Sequence, residues 1–365
     1  MKPINILFTS AGRRVELLRK FRQAYQGLGL TGKIIALDTN PLAPALHTAD
    51  RAYIVPRLNR PDYVPTLLQI CQQEAVDLIF PLIDPDIPLL AHHRKQLEDV
   101  GTKAVVLFPD EAATVDDKWK TTKFFQALDL PTPHSWLPNQ IDPTQATYPL
   151  FIKPRFGSGG KNAFKVHNER ELAFFSEYVP KPIIQEWLSG PEITCDVICD
   201  LDGRVLGVAL RQRIEVRSGE VAKGVTIHDP FIIAACVRIA EALHAVGPIT
   251  VQCMFKEGVP HFTEINGRFG GGAPLAISAG VDAPRWLLAN AADISIPIPA
   301  IGSYQSGLYL SRFDDAYILD EVEHTRMIQN VLPIHPNKLY STQINHNHAY
   351  VLNGVDHAHM ASSYL

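Results

Sequence analysis

Long apolar runs are missing from this sequence. No stretch of its 365 residues approaches the roughly 20 that a membrane-spanning helix needs. An excess of either charge is missing too: 34 Lys and Arg stand against 38 Asp and Glu, a formal net charge of −4, which gives no electrostatic case for nucleic acid. The five cysteines, at 71, 195, 199, 236 and 253, are odd in number and scattered. Cys195 and Cys199 lie four apart, but no second pair and no histidine sits at zinc spacing, so small core residues in a reducing cytoplasm are expected. The start, MKPINILFTSAGRR, lacks a secretory layout, because its apolar run is short and Arg13-Arg14 follow it. Neither GxxxxGK[ST] nor a three-glycine dinucleotide fingerprint occurs; Ser10-Ala11-Gly12 with Asp38 is a weak match to the latter. What is present, 46% hydrophobic and 20% charged residues, fits a globular protein long enough for two or more domains.

Strands and helices alternate through the first part of the chain. Ile4 to Thr9, Lys33 to Leu37, Arg51 to Val55, Asp77 to Phe80 and Lys103 to Phe108 read as strands. Between them, Val15 to Leu28, Tyr63 to Cys71 and Ile87 to Leu97 carry helical spacing. That order predicts a Rossmann-like parallel sheet. Its loops hold Ser10 to Arg14, Asp38 to Asn40 and Pro81 to Asp86 at the carboxyl ends of strands, where ligands bind in such sheets. Arg13 and Arg14 at a helix start suit an anion, although a solvated helix start explains either one alone.

Pro109 to Leu130 reads as one charged helical segment containing Lys118, ended by Pro131 and Pro133. The strand Pro149 to Lys153 then closes on a lysine before Gly157-Ser158-Gly159-Gly160, a layout in which loop amides and a point charge can hold phosphates. The same residues also fit a plain hairpin turn. Pro182 to Leu188 is a strand leading to Glu192, and Ile193 to Cys199 pairs with Val205 to Gln212 across Asp202-Gly203. Arg211, Arg213, Arg217 and Lys223 make a basic stretch, broken by Glu215 and Glu220, of which one or two can hold a substrate carboxylate or the γ-phosphate and the rest are expected to be solvated.

The stretch ITVQCMFKEGVPHFTEINGRFGGGAP, from Ile249 to Pro274, predicts a hairpin turning at Lys256-Glu257-Gly258. Alternation puts Glu264 and Asn266 on one face, with Gln252 opposite Glu264 and Arg268 following on the same side. Three oxygen donors beside a fixed cation suit a Mg²⁺-bound polyphosphate, and the arginine can offset charge on a phosphoryl group in transfer. The ordinary alternative is the polar outer face of a hairpin. Gly270-Gly271-Gly272 reads as a flexible run whose amides can approach an anion.

Five motifs in sequence order, DDKWKT, FIKPRFGSGG, QEWLSGPE, VQ and EINGRFGGG, resemble the ATP-grasp superfamily, in particular its carbamoyl-phosphate-synthase large-subunit and biotin-carboxylase branch. The resemblance covers about residues 1 to 310. It implies mixed α/β and α+β architecture: a Rossmann-like pre-ATP-grasp domain (1–112), a lid subdomain with its linker helix (113–188), and a larger antiparallel-sheet subdomain (189–315). A loosely patterned, His-rich tail (316–365) follows, for which no function is read.

By that resemblance Lys118 and Lys153 contact the α- and β-phosphates of ATP, and Gly157, Ser158, Gly159 and Gly160 close over them. Glu186, Trp187 and Leu188 frame the adenine and Glu192 the ribose. Glu264 and Asn266, assisted by Gln252, hold Mg²⁺, for which Mn²⁺ is an allowed substitute. Arg268 and Lys153 are the catalytic cations, and Arg211, Arg213, Lys223 and Gly271 are the substrate-side candidates. EINGR departs from the family in lacking a proline before the arginine, and Lys161-Asn162 stand where further glycine is common.

The implied activity is ADP-forming ligation of a small carboxylate to an amine or related nucleophile through an acyl phosphate. A bicarbonate-activating enzyme and a non-catalytic ATP-binding module are the competing readings. A homodimer is expected by analogy alone.

Overall fold

The computed structural model describes residues 2–217 and 219–329. Strands β1 (Ile6–Thr9), β2 (Ile34–Asp38), β3 (Arg51–Ile54), β4 (Leu78–Pro81) and β5 (Lys103–Ala104) form a parallel sheet of order β3-β2-β1-β4-β5. All four residues of β1 and of β4 are buried, as expected of strands covered on both faces. Helix α1 (Val15–Leu28) ends at Gly29, whose φ of 62° is the left-handed stop that glycine adopts without strain. Helix α2 (Tyr63–Gln73) links β3 to β4.

Two expectations change here. The single helix over 87–97 is two, α3 (Asp86–His92) and α4 (Arg94–Asp99), separated at His93. The strand over 103–108 pairs only at its first two residues. Arg94 donates to the carbonyls of Ala104 (3.0 Å), Val106 and Leu107, so a guanidinium takes acceptors that a longer ladder would have used.

The segment read as one helix over 109–130 is also two, α5 (Pro109–Asp116) and α6 (Lys118–Ala127). Asp117 between them is extended (φ −101°, ψ 107°), and its carboxylate accepts from Trp119 N–H at 3.0 Å as an N-cap. Helix α6 packs with the larger core, Phe125 meeting Phe262 at 5.7 Å.

A small antiparallel sheet follows: β6 (Ser135–Trp136), β7 (Leu150–Pro154), β8 (Phe164–Val166) and β9 (Pro182–Glu186), in order β6-β9-β7-β8. Helix α7 (Glu169–Tyr178) contributes Leu172 to its own small core with Leu150, Ile152, Val166 and Ile184.

The large sheet runs β14-β13-β10-β11-β12-β15, antiparallel throughout. Its strands are β10 (Glu192–Cys199), β11 (Val205–Arg217), β12 (Glu220–Ile227), β13 (Pro248–Lys256), β14 (Val259–Asn266) and β15 (Tyr309–Ser311). Helices α8 (Pro230–Ala242), α9 (Ala273–Ser278) and α10 (Ala283–Ala291) complete this part. The basic stretch after Gln212 is therefore the far end of β11 and a second hairpin arm, β12. Phe269 is buried against Phe21 (5.9 Å) and Phe80 (6.0 Å), which ties the end of the β13–β14 hairpin into the core of the parallel-sheet domain.

Within the span read as a loose tail, Glu321–Gln329 forms helix α11, and Tyr317 Oη lies 2.9 Å from Thr48 Oγ1. Of the tail histidines, His324 lies in α11; those at 335, 346, 348, 357 and 359 lie outside the described residues.

Candidate active site

The β13–β14 hairpin turns at Glu257 and Gly258, with φ of 51° and 81°, as a two-residue turn with positive φ at both central positions. Its register places Gln252 opposite Glu264 and Thr250 opposite Asn266, so the face read from alternation is present. Neither the Glu264 carboxylate nor the Asn266 amide has a hydrogen-bond or ion-pair partner among the described residues. Both line a cleft of about 670 Å³, within the range of small-molecule sites. Oxygen donors left without protein partners and facing a cleft fit a hard divalent cation.

Arg268 follows after the strand has ended. Its Nη2 pairs with Asp84 Oδ2 at 2.7 Å, its Nη1 donates to the Phe269 carbonyl at 3.2 Å, and its Nε is buried without a partner. Asp84 comes from the loop after β4, so the parallel-sheet domain sets the position of this guanidinium.

Lys153 is the next-to-last residue of β7 and is 9% exposed. Burial pushes its ammonium below the usual lysine range; Glu264 opposes that shift and Lys118 adds to it. It forms no ion pair within 4 Å among the described residues. A desolvated cation beside open space is poised for an anion. Lys118 Nζ donates to the Gly157 carbonyl at 2.6 Å. The Asp117 cap also pairs with Arg155, and Lys118 N–H donates to the Arg155 carbonyl at 3.0 Å, so α6 and the glycine loop are held as a unit. Gly157, Gly159 and Gly160 have φ of 103°, 72° and 68°, a run that only glycine takes cheaply. They line the cleft with Ser158.

Lys153→Met is therefore expected to act in opposite directions on two measurements. The free protein should melt higher, because a buried unpaired charge is gone. Nucleotide binding should weaken by about 2 kcal/mol, the worth of a charge-assisted hydrogen bond, or roughly 30-fold. Calorimetric titration with MgADP and a melting curve check both. Unchanged affinity would remove Lys153 from the phosphate role.

The crossover from β9 to β10 supplies Trp187 and Leu188 to the cleft, and the Leu188 N–H has no partner among the described residues. Glu186 also lines it, but its carboxylate is committed: it accepts from His134 N–H at 3.0 Å and pairs with Lys256. Burial raises this carboxyl, and the Lys256 and His134 hydrogen bonds outweigh that, leaving it below the usual range. The Glu186 N–H donates to the His134 carbonyl at 2.9 Å, so any adenine contact at Glu186 falls to its carbonyl. Glu192 Oε1 accepts from Arg213 at 2.6 Å and Gln252 at 3.2 Å.

The substrate-side candidates separate. Arg213 lines the main cleft. Arg211 is buried at 4% side-chain exposure and pairs with the equally buried Asp196 at 2.8 Å. Lys223 pairs with Glu215 on a half-exposed part of the sheet. The glycine run after Arg268 packs closely, and Gly271 also lines space outside the main cleft. A Cβ at Gly272 would lie 2.5 Å from Arg211 Cζ, and one at Gly271 would lie 2.8 Å from Glu220 Cδ and 3.0 Å from Arg14 Nη1. None of Gly270, Gly271 or Gly272 has positive φ.

The sequence reading missed Asp84 and Glu220. Glu220 Oε1 meets Arg14 at 3.1 Å, and its Oε2 meets Arg13 at 3.2 Å and Arg312 at 2.9 Å. Burial raises the Glu220 carboxyl, and the three arginines together hold it below the usual range. Burial lowers the Arg14 guanidinium to about 10, so it is charged at neutral pH.

Residues 6–105 match the family model "PylC-like, N-terminal domain" and residues 115–272 match the model "ATP-grasp domain". The chain is 24% identical over 275 residues to a carbamoyl phosphate synthase large chain of Methanothrix thermoacetophila, covering 67% of this chain and 25% of that one. It is 28% identical over 184 residues to a 3-methyl-D-ornithine–L-lysine ligase of Methanosarcina acetivorans, covering 50% of this chain and 46% of the relative. The chain thus spans about a quarter of the former and under half of the latter. The biotin carboxylase domain of 2-oxoglutarate carboxylase from Hydrogenobacter thermophilus, solved with MgADP, ADP and bicarbonate, shares the fold. Its TM-score is 0.68 at 18% identity over 85% of this chain and 74% of that one. The chain therefore carries an ATP-grasp domain preceded by a PylC-like N-terminal domain.

Proposed function

We propose that the protein is an ATP-dependent, ADP-forming ligase that joins a small carboxylic acid to an amine or related nucleophile. The observation that carries this reading is the pairing of opposites in one cleft. The unpartnered oxygens of Glu264 and Asn266 face the same space as the desolvated Lys153 ammonium and the glycine loop. That combination suits a polyphosphate with its divalent cation. The ligase named among the relatives, and the MgADP in the related carboxylase domain, point the same way.

In this reading Lys118, Lys153 and the loop from Gly157 to Gly160 hold the phosphates. Trp187 and Leu188 border the base, and Glu192 is the ribose candidate. Glu264 and Asn266, with Gln252 beside them, hold Mg²⁺ or Mn²⁺. The bound cation supplies charge neutralisation between phosphate oxygens. A carboxylate oxygen of the acid attacks the γ-phosphorus, the bond to ADP breaks, and an acyl phosphate results. Arg268, fixed by Asp84, offsets the charge that builds on the transferred group. The nucleophile then attacks the acyl carbon, and inorganic phosphate leaves with its bonding pair. The glycine loop over the cleft restrains water from the intermediate.

The test is ADP release from Mg²⁺-ATP with carboxylic acids and amines supplied singly and in pairs, and bicarbonate as a separate arm. Release that needs both an acid and a nucleophile supports the ligase. Release with bicarbonate and no organic acid would replace it with carboxyphosphate formation, the reading that the bicarbonate in the related carboxylase domain favours. MgADP binding without turnover in any arm would leave a nucleotide-binding module.

A further inference from the structure

A second cavity, of about 660 Å³, is lined by residues at the start of α1, along β15 and on α9. A smaller one, of about 220 Å³, adjoins both clefts. It shares Ser158, Gln252, Asn266 and Arg268 with the nucleotide cleft, and Arg13, Arg14, Glu220 and Gly271 with the second cavity. The smaller cavity therefore joins the two large spaces, with Arg268 on its nucleotide side and Arg14 and Glu220 on the side of the second cavity.

The junction is cationic. Arg13, Arg14 and Arg312 converge on Glu220, and Arg268 on Asp84, so four guanidiniums face two carboxylates. Arg14 is 12% exposed on its side chain, and its Nη1 is buried without a hydrogen-bond partner. A buried donor left unmade costs about 1–3 kcal/mol, which an arriving acceptor recovers. Beyond the junction Val15, Leu17, Pro274, Leu275, Leu308 and Leu310 give the second cavity an apolar side; its charged residues there are the pairs Arg19–Glu16 and Arg217–Asp314, and Asp315.

We propose that this second cavity seats the acid to be activated, and that the acid is a monocarboxylate with a bulky apolar body. The inference rests on the ligase reading and names its substrate class. The carboxylate lodges at Arg14 beside Arg268, and the body lies against Leu275, Leu308 and Leu310. Bicarbonate and acetate leave nearly all of the cavity unfilled. A cationic head meets the excess of guanidinium. A dicarboxylate carries its second charge to leucines or to Arg19 and Arg217, which Glu16 and Asp314 already pair, and that is costly without a partner.

The experiment uses the full chain saturated with MgADP and titrates 4-phenylbutyrate, hexanoate, succinate, lysine and bicarbonate by calorimetry. The expected result is binding of phenylbutyrate and hexanoate, with the others weaker by at least roughly tenfold. Arg14→Gln and, separately, Leu310→Glu should each lower phenylbutyrate affinity by at least roughly tenfold while MgADP affinity stays at the unmutated value. Leu310 is only half-buried, so it reports on the cavity even where an Arg14 variant folds poorly. Succinate or bicarbonate binding as well as phenylbutyrate would overturn the proposal. So would phenylbutyrate binding that ignores Leu310→Glu, or MgADP binding with no acid bound. Failure to bind MgADP at all would instead overturn the ligase reading beneath it.

Discussion

Glu264→Gln is expected to lower ADP-forming turnover by roughly 10²–10³-fold, the scale on which removing one preorganised charge-stabilising group acts. The substitution keeps the shape of the side chain and removes its charge. Glu264 supports no hydrogen bond or ion pair among the described residues, so its charge has no other visible use there. Its one electrostatic debt is to Lys153, whose ammonium it helps keep protonated. The melting temperature should accordingly change little, while turnover collapses and cannot be restored by more ATP alone. Steady-state ADP release and a melting curve on the same preparation check this. Turnover near the unmutated rate would remove Glu264 from the cation role and leave the hairpin face as ordinary polar surface.

Asp196→Ala is expected to cost about 3–5 kcal/mol of stability, as breaking a buried ion pair does when one charge is left behind. Asp196 and Arg211 are each 4% exposed on their side chains, and Gly270 and Gly272 pack directly on them. Removing the carboxylate strands a guanidinium under the glycine run that leads from Arg268 into α9. Urea denaturation should show the loss, and Asp196→Ala combined with Arg211→Met should recover much of it, since the orphaned charge is then gone. A loss below about 1 kcal/mol, the usual scale of a surface pair, would contradict the buried-pair account.

Local pattern made the site's core legible. Alternation in β14 puts Glu264 and Asn266 on one face, but the two-residue turn alone would set Gln252 against Thr263; a bulge between Gln252 and Cys253 shifts the register by one and brings Gln252 opposite Glu264. Lys153 before its glycine loop was legible for a similar reason: the lysine, the strand end and the loop are contiguous. Asp84 was not, because 184 residues separate it from Arg268 and only the docking of the parallel sheet onto the hairpin brings them together. Glu220 was legible only as a break in a basic stretch; the arginines it gathers, Arg13, Arg14 and Arg312, lie far from it in sequence. Strand β12 was masked because charged and exposed residues at the end of β11 blur its alternation. The glycine run has a use that composition does not show: the absence of Cβ atoms lets the backbone pass over Arg211 and Glu220. Asp117 shows the same limit, since a break in a helical segment is visible only through the Arg155 that its carboxylate holds.

The central claim is that a carboxylate oxygen attacks the γ-phosphate within this cleft. It is tested most directly by following an isotope. The acid that supports ADP release is labelled with ¹⁸O in its carboxyl group, and the released phosphate is analysed by mass spectrometry. The expected result is one labelled oxygen carried into phosphate per turnover, because the acyl phosphate's bridging oxygen departs with phosphorus. Phosphate free of label, or AMP and pyrophosphate as the products, would contradict it.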